Sequence, residues 1–376
     1  MSSDPLAEKV RSFAARLPYT RPPYNSRAWG HRLHSLCSYQ GKLKPALAHW
    51  VVREMLQQGA SVLDPLGGVG TIPFAAALAG HPAVSNDKSP FASLVASAKL
   101  DPPSFKEAEV GLARLSARLQ ETDLDEADFE AAQFGLNGRV ADYYHPLTLE
   151  DILRARKVLA NDGPGDRAMT FVWASLLHVL HGNRPYALSR ASHPITPFNP
   201  SGAAVQKDVV DHIRERMRRA LSEPLPPTFV KGSAHNADFR DLPDLYASAF
   251  DAIITSPPFL GMRFDRPNWL RLWFCGWLEE DFHKTSLTFL EREQVRSRSC
   301  YTEFFGACRQ LLKPGGLFVL HLGSGGPGDL LGDLRTLARE DFRVVGEVTE
   351  DVAGLEQHGI RDKGRTSAHH LLVFRA

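Results

Sequence analysis

Residues 61–71 read Ser-Val-Leu-Asp-Pro-Leu-Gly-Gly-Val-Gly-Thr, and this segment is the most informative about the type of fold. Ser61 to Leu63 predict a short buried strand, the glycines predict a tight turn, and residues 72–78 predict a helix. A glycine turn lets a ligand approach the backbone closely, and the start of a helix offers free N–H groups. The stretch therefore predicts a ligand site at the end of a buried strand.

The flanking sequence repeats the alternation of strand and helix. A helix is predicted from about Pro45 to Gln58, whereas residues 1–30 look irregular, with prolines at positions 18, 22 and 23. Further strands are predicted at residues 83–87, 228–234, 251–259, 342–350 and 369–376, a turn followed by a strand within residues 311–323, and a further helix at residues 90–100. Strands and helices that alternate with short connections predict an α/β fold, with a mostly parallel sheet covered on both faces.

Residues 101–227 interrupt this alternation. They contain an acidic helical stretch, an apolar helix near Met169 to Leu180 and a basic helix near Val205 to Leu221. We therefore expect three parts: an N-terminal arm and flanking helix (1–60), a catalytic domain (61–100 plus 228–376), and an inserted, mainly helical substrate-recognition region (101–227).

The composition is that of an ordinary globular protein, with 43% hydrophobic and 23% charged residues among 376. No apolar run of membrane length and no signal peptide is apparent, so a cytoplasmic protein without a membrane partner is expected. The cysteines form no Cys-x-x-Cys pair and the histidine spacing suits no common zinc motif, so no metal is expected. Residues 1–53 carry nine Lys/Arg and two Asp/Glu. Such an arm either follows phosphates or forms a solvated surface.

The ligand at the glycine turn is predicted to be S-adenosylmethionine. No Lys-Ser/Thr pair follows the glycines, which argues against a triphosphate loop. Asp87 follows Asp64 by 23 residues, a distance that places an acid to bind ribose hydroxyls. A carboxylate near the turn also suits the ammonium group of a methionine moiety and would repel the pyrophosphate of a dinucleotide, the main alternative. Asp238 could accept a hydrogen bond from the adenine amino group or simply cap a helix.

A second motif, Thr255-Ser256-Pro257-Pro258-Phe259, follows the apolar strand Ala252 to Ile254. Consecutive prolines cannot continue a central strand, so the motif lies at the carboxyl edge of the sheet, where ligands bind in open α/β folds. An exocyclic amine of cytosine or adenine is a poor nucleophile, and Ser256 Oγ and the Pro257 carbonyl can accept hydrogen bonds from its N–H groups. Phe259 offers a face on which a flipped-out base can stack. The alternative is an ordinary turn that ends a strand.

With these motifs the sequence resembles the S-adenosylmethionine-dependent amino-methyltransferases of DNA, the N4-cytosine and N6-adenine class. Residues 64–71 resemble their DPxxGxGT cofactor motif, residues 85–90 their second acidic motif, and residues 255–259 their Pro-Pro-aromatic catalytic motif. Residues 38–45 resemble their Tyr-x-x-Lys-x-x-Pro element, and the resemblance covers roughly residues 35–100 and 228–376. It implies a class I methyltransferase fold, Rossmann-like, with a mostly parallel seven-stranded sheet and a largely helical insertion.

The resemblance further implies that Tyr39, Lys42 and Pro45 border the methionine end of the cofactor. The predicted cofactor site comprises Tyr39, Lys42, Pro45, Asp64, Pro65, Gly67, Gly68, Gly70, Thr71, Asp87, Asp238 and Thr255. The predicted catalytic residues are Ser256, Pro257, Pro258 and Phe259.

The target base is a finer question. Serine at the head of the Pro-Pro motif favours N4 of cytosine, as in restriction-modification enzymes. The sequence departs from the family in having Phe259 instead of the commoner tyrosine, and Ala75 where many relatives have glutamate. C5-cytosine methylation is excluded because no Pro-Cys pair occurs. The alternatives are methylation of N6 of adenine or of an amino base in RNA, a small-molecule or peptide methyltransferase, and a non-catalytic binder.

The loop at residues 183–202 is rich in arginine, serine, histidine and aromatic residues. Arg184, Arg190, Ser192 and His193 are candidates for contact with DNA, or with RNA, because such side chains can read or stack on bases. A structural loop is the equal alternative. Residues 264–274 are a candidate for a segment that folds over the flipped base, and the basic helix near residues 214–219 is better interpreted as a solvated face. The protein is expected to be a monomer or a homodimer.

Overall fold

A seven-stranded sheet forms the centre of the computed structural model, which describes residues 4–26, 28–193, 195–324, 328–352 and 366–376. The strands are β1 Val62–Asp64, β2 Ala83–Asn86, β3 Ser233–His235, β4 Phe250–Thr255, β5 Leu312–Ser324, β6 Arg343–Asp351 and β7 Ala368–Arg375. Their order is β3-β2-β1-β4-β5-β7-β6, and β7 runs antiparallel to both of its neighbours while the other pairs are parallel. This order is that of the class I methyltransferase fold, so the predicted α/β fold is confirmed.

Helices cover both faces of the sheet. They are α1 Pro5–Arg16, α2 Pro45–Met55, α3 Thr71–Leu78, α4 Pro90–Leu100, α5 Phe105–Glu121, α6 Glu126–Ala131, α7 Pro146–Asp162, α8 Arg167–Val179, α9 Val209–Ala220, α10 Leu242–Tyr246, α11 Trp269–Phe274, α12 Leu290–Arg296, α13 Cys300–Leu311 and α14 Leu330–Ala338. Of these described helices, none is both long enough and apolar enough to cross a bilayer.

The strands divide their side chains between two cores. Val62 and Ile254 belong to the core under α2 to α9, whereas the neighbouring Leu63 and Ile253 belong to the core under α13 and α14. Successive side chains of a strand point to opposite faces, and a parallel sheet is buried on both. The central strands are therefore mostly apolar, and Asp64 of β1, Asn86 of β2 and Thr255 of β4 lie at their carboxyl ends.

The expectation that residues 1–30 are irregular is wrong for α1. Asp4 caps this helix by accepting a hydrogen bond from Leu6 N at 3.0 Å, and Pro5 occupies its first turn. Leu6, Val10 and Phe13 are buried, and their spacing of four and three residues places them on one face. The prolines that suggested irregular structure come after the helix ends.

The inserted residues 101–227 form α5 to α9 and join the same core as α2 to α4. Within them, α8 packs between α4, α5 and α9. Ser104 begins α5 with a capping box, in which its hydroxyl accepts from Glu107 N and the Glu107 carboxylate accepts from Ser104 N. The proposed division of the chain into three parts stays a prediction.

Candidate active site

A cleft of about 920 Å³, including its open side, lies at the carboxyl edge of β1, β2 and β4. The cleft brings together eleven of the predicted residues on its walls: Tyr39, Lys42, Asp64, Pro65, Gly67, Gly68, Thr71, Asp87, Asp238, Ser256 and Pro258. Pro45, Gly70, Thr255, Pro257 and Phe259 are not wall residues of this cleft. The glycine turn and the Pro-Pro motif thus share one edge of the sheet.

The turn after β1 is packed so closely that no side chain would fit at two of its glycine positions. A Cβ on Gly67 would lie 2.2 Å from Ser85 Oγ, and a Cβ on Gly70, whose φ is +69°, would lie 2.9 Å from Ala96 Cβ. Asp64 ends β1, is 2% exposed, and accepts a hydrogen bond from Leu66 N at 3.2 Å. Burial raises the pKa of Asp64 to about 7.

Asp87 follows β2 and supports the turn from the other side. Its Oδ2 accepts from Gly68 N and its Oδ1 accepts from Ser89 N, both at 2.8 Å. Burial raises the pKa of Asp87 to about 6. Because each carboxylate oxygen has a second lone pair, Asp87 can still accept hydrogen bonds from the hydroxyls of a ligand.

Asp238 differs from these two acids because it is paired with two cations. Lys88 Nζ lies 2.7 Å from Asp238 Oδ2, and Arg240 Nη1 lies 3.1 Å from the same oxygen. Burial opposes ionisation, but the hydrogen bond from Lys88 and the charge of Arg240 keep the pKa of Asp238 below its ordinary value. Asp238 is thus held ionised at the rim of the cleft.

Lys42 lies where the chain enters the cleft ahead of α2. Its Nζ donates to the His34 carbonyl at 2.6 Å, and burial lowers the pKa of Lys42 to about 8. Pro45 is buried as the first residue of α2, and Thr255 is fully buried at the end of β4. Their predicted cofactor contacts remain predictions.

An acid and an aromatic residue of the cleft were missed by the sequence analysis. Glu291 on α12 is 6% exposed and accepts from Phe264 N at 3.2 Å, and burial raises the pKa of Glu291 to about 7. Phe264 stacks on Tyr39 with 5.6 Å between ring centroids and 13° between ring planes. Glu291 lies outside every recognised motif, so no local signal marks it.

The Pro-Pro motif is held by strands and helices on both sides. Pairing of β4 with β5 sets Thr255 opposite Leu320, so the next residues, Ser256 and His321, come together with 3.1 Å between Ser256 Oγ and His321 Nδ1. The Pro258 carbonyl accepts from Gln294 Nε2 at 3.1 Å. These contacts fix the backbone immediately after β4.

Phe259 lies on the side of the motif nearer β5 and β7. Its ring packs directly on Gly323, where a Cβ would lie 2.3 Å from Phe259 Cε2. The rings of His321 and His369 lie 5.9 and 6.3 Å from it, measured between centroids. His321 and His369 were not predicted as site residues, because only the pairing of β5 with β4 and β7 brings them here.

The loop at 183–202 uses most of its polar side chains within itself. Arg190 donates to the carbonyls of Gly202 and Asp142, Ser192 Oγ donates to the Phe198 carbonyl at 3.0 Å, and His193 Nδ1 accepts from two backbone N–H groups. Arg184 is exposed and donates to Tyr186 OH at 2.8 Å. None of the four candidates lines the cleft, and their contact with nucleic acid stays a prediction.

Two further segments, α9 and residues 264–274, differ in which of their side chains are buried. On α9, the exposed Arg218 and Arg219 pair with Glu215, while Arg216 is buried and donates to the Leu36 carbonyl at 3.0 Å. In residues 264–274, Phe264 faces the cleft, but α11 buries Trp269 and Trp273 completely or nearly so. Of residues 264–274, the first one, Phe264, is therefore the residue that lines the cleft.

No protein-family profile matches the chain, and a comparison with curated proteins also found no match. Among solved structures, the chain is similar to a TehB-like SAM-dependent methyltransferase from Corynebacterium glutamicum, with 11% identity, coverage of 87% of this chain and 85% of that one, and a TM-score of 0.32. It is also similar to the rRNA methyltransferase aviRa from Streptomyces viridochromogenes, with 12% identity, coverage of 95% and 94%, and a TM-score of 0.37.

A putative DNA modification methylase from Thermus thermophilus is 15% identical, covering 36% of this chain and 49% of that one with a TM-score of 0.21. At these identities and TM-scores, the similarities assign neither an activity nor a substrate to this chain. The geometry of its own cleft is what bears on function.

Proposed function

We propose that this protein is an S-adenosylmethionine-dependent methyltransferase that modifies the exocyclic amine of a flipped base in DNA, with N4 of cytosine as the target atom. The observation that carries the proposal is one shared edge of the sheet. There the glycine turn at residues 67–70 and the motif beginning at Ser256 border the same cleft. A methyl donor and an amine acceptor must meet in this way, because in-line transfer depends on positioning.

The acids of the cleft fit this cofactor. Asp64, Asp87 and Glu291 are buried with raised pKa values, so a ligand that brings positive charge would favour their ionised forms. S-adenosylmethionine carries an ammonium group, a sulfonium and two ribose hydroxyls. The cations Lys88 and Arg240 are already paired with Asp238, which makes a pyrophosphate a poorer fit.

Each side chain then has a distinct proposed task. Asp87 accepts from the ribose hydroxyls, Asp64 and Glu291 balance the positive charge, and Tyr39 with Phe264 encloses the ligand. When bound, the cofactor supplies an electrophilic methyl group on its sulfonium. Water is kept away from that group by the aromatic pair and by the buried turn.

On the acceptor side, Ser256 Oγ and the Pro257 carbonyl hold the two hydrogens of the amine. Accepting these hydrogen bonds draws the nitrogen lone pair out of conjugation with the ring and towards the methyl group. Proline has no N–H beside its carbonyl to compete for the amine. Phe259 stacks on the flipped base, and the choice of cytosine rests on serine at the head of the motif.

The test is to incubate the protein with labelled cofactor and unmethylated genomic DNA, or with RNA, and to identify the modified nucleoside by mass. N4-methylcytosine from DNA is the expected product. N6-methyladenine, or label in RNA alone, would replace the proposed substrate but keep the chemistry. Cofactor binding without transfer to any nucleic acid would overturn the proposal.

The Ser256→Ala variant should lower the rate of transfer by about 10²- to 10³-fold, because it removes one preorganised hydrogen-bond acceptor. Its affinity for the cofactor, measured by calorimetry, should stay unchanged, and circular dichroism should show that the variant is folded. Arg218→Ala is the matched control, since Arg218 is exposed and pairs only within its own helix. Wild-type rates in Ser256→Ala would contradict the assigned role of the hydroxyl.

A further inference from the structure

The hydroxyl of Ser256 is bonded to a histidine that no sequence motif marks. Ser256 Oγ and His321 Nδ1 are 3.1 Å apart, and His321 is 4% exposed. The backbone leaves this pair little freedom, because the parallel register of β4 on β5 sets the two residues side by side. His321 is further wedged against the rings of Phe259 and His369.

A serine hydroxyl has one proton and two lone pairs, so the direction of its proton decides what it offers to a substrate. If the proton points to His321 Nδ1, both lone pairs of Ser256 Oγ remain available to the hydrogens of an amine. If Nδ1 carries a proton instead, it occupies one lone pair, and the serine proton is free to turn towards the amine. The tautomer of His321 therefore determines whether Ser256 works as an acceptor.

The surroundings of His321 favour the neutral ring. Burial, followed by the charges of His369, His370 and Lys44, holds the pKa of His321 well below its ordinary value. A neutral imidazole carries its proton on one nitrogen only. His321 Nε2 is buried and has no hydrogen-bond partner among the described residues, so within this part of the chain the contact with Ser256 is the one that depends on the tautomer. An amine that donates to Ser256 Oγ needs the serine proton to point elsewhere, and a proton on Nε2 leaves Nδ1 as the acceptor for it.

We propose that His321, protonated at Nε2, is a positioning residue that holds the Ser256 proton away from the substrate and so fixes Ser256 as an acceptor for the amine. This inference rests on the proposed function of the Pro-Pro motif. It adds a specific residue and a specific tautomer, neither of which the motif contains. His321 itself touches Ser256 and not the reacting atoms.

Three substitutions separate this role from simple packing. In His321→Asn the side-chain oxygen can stand near the position of Nδ1, whereas His321→Gln places its polar group near the position of Nε2, and His321→Ala has neither. His321→Asn should keep kcat within about threefold of the wild type, and the other two should lose about 10- to 100-fold, a change of about 1.4–2.7 kcal/mol that is in the range for a buried polar group left without its partner. KM for DNA and the Kd for the cofactor should change less than twofold, taken as ~0.4 kcal/mol or less.

Equal losses in His321→Asn and His321→Gln would overturn the proposal, because a packing role does not distinguish the two nitrogens. Wild-type kcat in His321→Ala would overturn it as well. Circular dichroism and melting temperature show whether each variant is folded before its rate is compared.

A second measurement does not depend on activity. The protein labelled with ¹⁵N-histidine should show, in ring nitrogen–proton correlation spectra, an unprotonated Nδ1 and a protonated Nε2 for His321, assigned from the signals lost in His321→Asn. Ser256→Ala should shift these signals. The opposite tautomer, or a doubly protonated ring at neutral pH, would overturn the inference. If the proposed function fails, wild-type protein transfers no methyl group, and the spectra alone decide the role of His321.

Discussion

Two polar regions of this molecule place their polar side chains in opposite ways. At the carboxyl edge of β1 and β2, Asp64 and Asp87 face a cleft and are buried without a cationic partner, so burial raises their pKa values. In the loop at 183–202, Arg190 and Ser192 bond to nearby carbonyls. The first region is organised around space for a ligand, and the second is organised around its own backbone.

This difference shows that polar composition is a weaker guide to function than position in the fold. A carboxyl group that is buried without a cationic partner has a destabilised ionised form until a ligand supplies positive charge, even where backbone N–H groups donate to it. An arginine that satisfies two carbonyls stabilises the loop that contains it. Substitutions in either region test this contrast, and the largest effect is expected in the cleft.

Asp87→Asn should weaken cofactor binding by about 10- to 100-fold, because a charge-assisted hydrogen bond contributes about 1.5–3 kcal/mol. Asparagine keeps an acceptor for Gly68 N but loses the negative charge. Titration calorimetry with S-adenosylmethionine measures the change. Asp241→Asn, at an exposed position outside the cleft, should bind as the wild type does. Unchanged affinity in Asp87→Asn would mean that this acid does not bind the cofactor, and the contrast between the cleft and the loop would fail.

The affinity for the cofactor should rise by about tenfold or more between pH 5.5 and 8, a free-energy difference of at least about 1.4 kcal/mol. The reason is that Asp64, Asp87 and Glu291, with pKa values of about 7, 6 and 7, must lose protons to balance a cationic ligand. Calorimetry in buffers of different ionisation enthalpy should detect proton release on binding. Glu291→Gln should make the affinity for the cofactor less dependent on pH. A wild-type affinity that does not change with pH would contradict the prediction.

The same groups act on stability with the opposite sign. Their folded pKa values exceed the unfolded ones, so the ligand-free protein binds more protons than the unfolded chain between about pH 4 and 7. Their contribution therefore makes the ligand-free protein less stable as the pH rises through that window. Bound cofactor should remove this loss, so its stabilising shift in melting temperature should be greater at pH 8 than at pH 5.5.

The smallest effect is expected in the loop. Arg190→Ala should destabilise the protein by about 0.5–1 kcal/mol, because it removes the donor to the half-buried Asp142 carbonyl, while water can replace it at the exposed Gly202 carbonyl. The rate of methyl transfer per folded molecule should not change. Denaturant unfolding measures the first quantity and a nucleoside assay the second. Full stability in Arg190→Ala would mean that this loop is not held by its own polar contacts.

Arg184→Ala is the comparison within the loop, because Arg184 is exposed and contacts Tyr186 OH and His178 Nε2 instead of backbone carbonyls. Its effect on the free energy of unfolding should be independent of that of Arg190→Ala, and it should leave the backbone contacts of the loop in place. A raised KM for DNA in this variant would give the loop a share in substrate binding after all.

Local sequence was sufficient for much of the fold and for half of the cleft. The glycine turn and the proline pair are each continuous in the chain, and their position at the ends of buried strands follows from strand periodicity and the parallel sheet. The helix α1 was missed although its apolar spacing is helical, because the prolines that follow it favoured a prediction of irregular structure. Its cap and first turn, Asp4 and Pro5, were the available signals.

The other half of the cleft could not be predicted in this way. Glu291 reaches the cleft from α12, and His321 reaches Ser256 through the register of β5 on β4. Such residues are distant in sequence from the motifs, and no single-sequence pattern specifies which helix folds over an edge or which strand residue faces a neighbour. The loop at 183–202 was the opposite case. Its polar composition suggested contact with nucleic acid, but its polar side chains bond mainly to the loop itself and to nearby backbone.

The two ends of the described chain meet on one side of the sheet. Asp4, at the start of α1, pairs with Arg343 of β6 at 2.7 Å, and Arg343 lies opposite Arg375 of β7 in the antiparallel register. A short peptide should therefore be able to join the ends into a ring, and new ends opened in an exposed connection such as that between α7 and α8 should preserve the cleft. In such a variant the Pro-Pro motif would precede the glycine turn along the chain, and the two motifs should still meet at the same edge of the sheet.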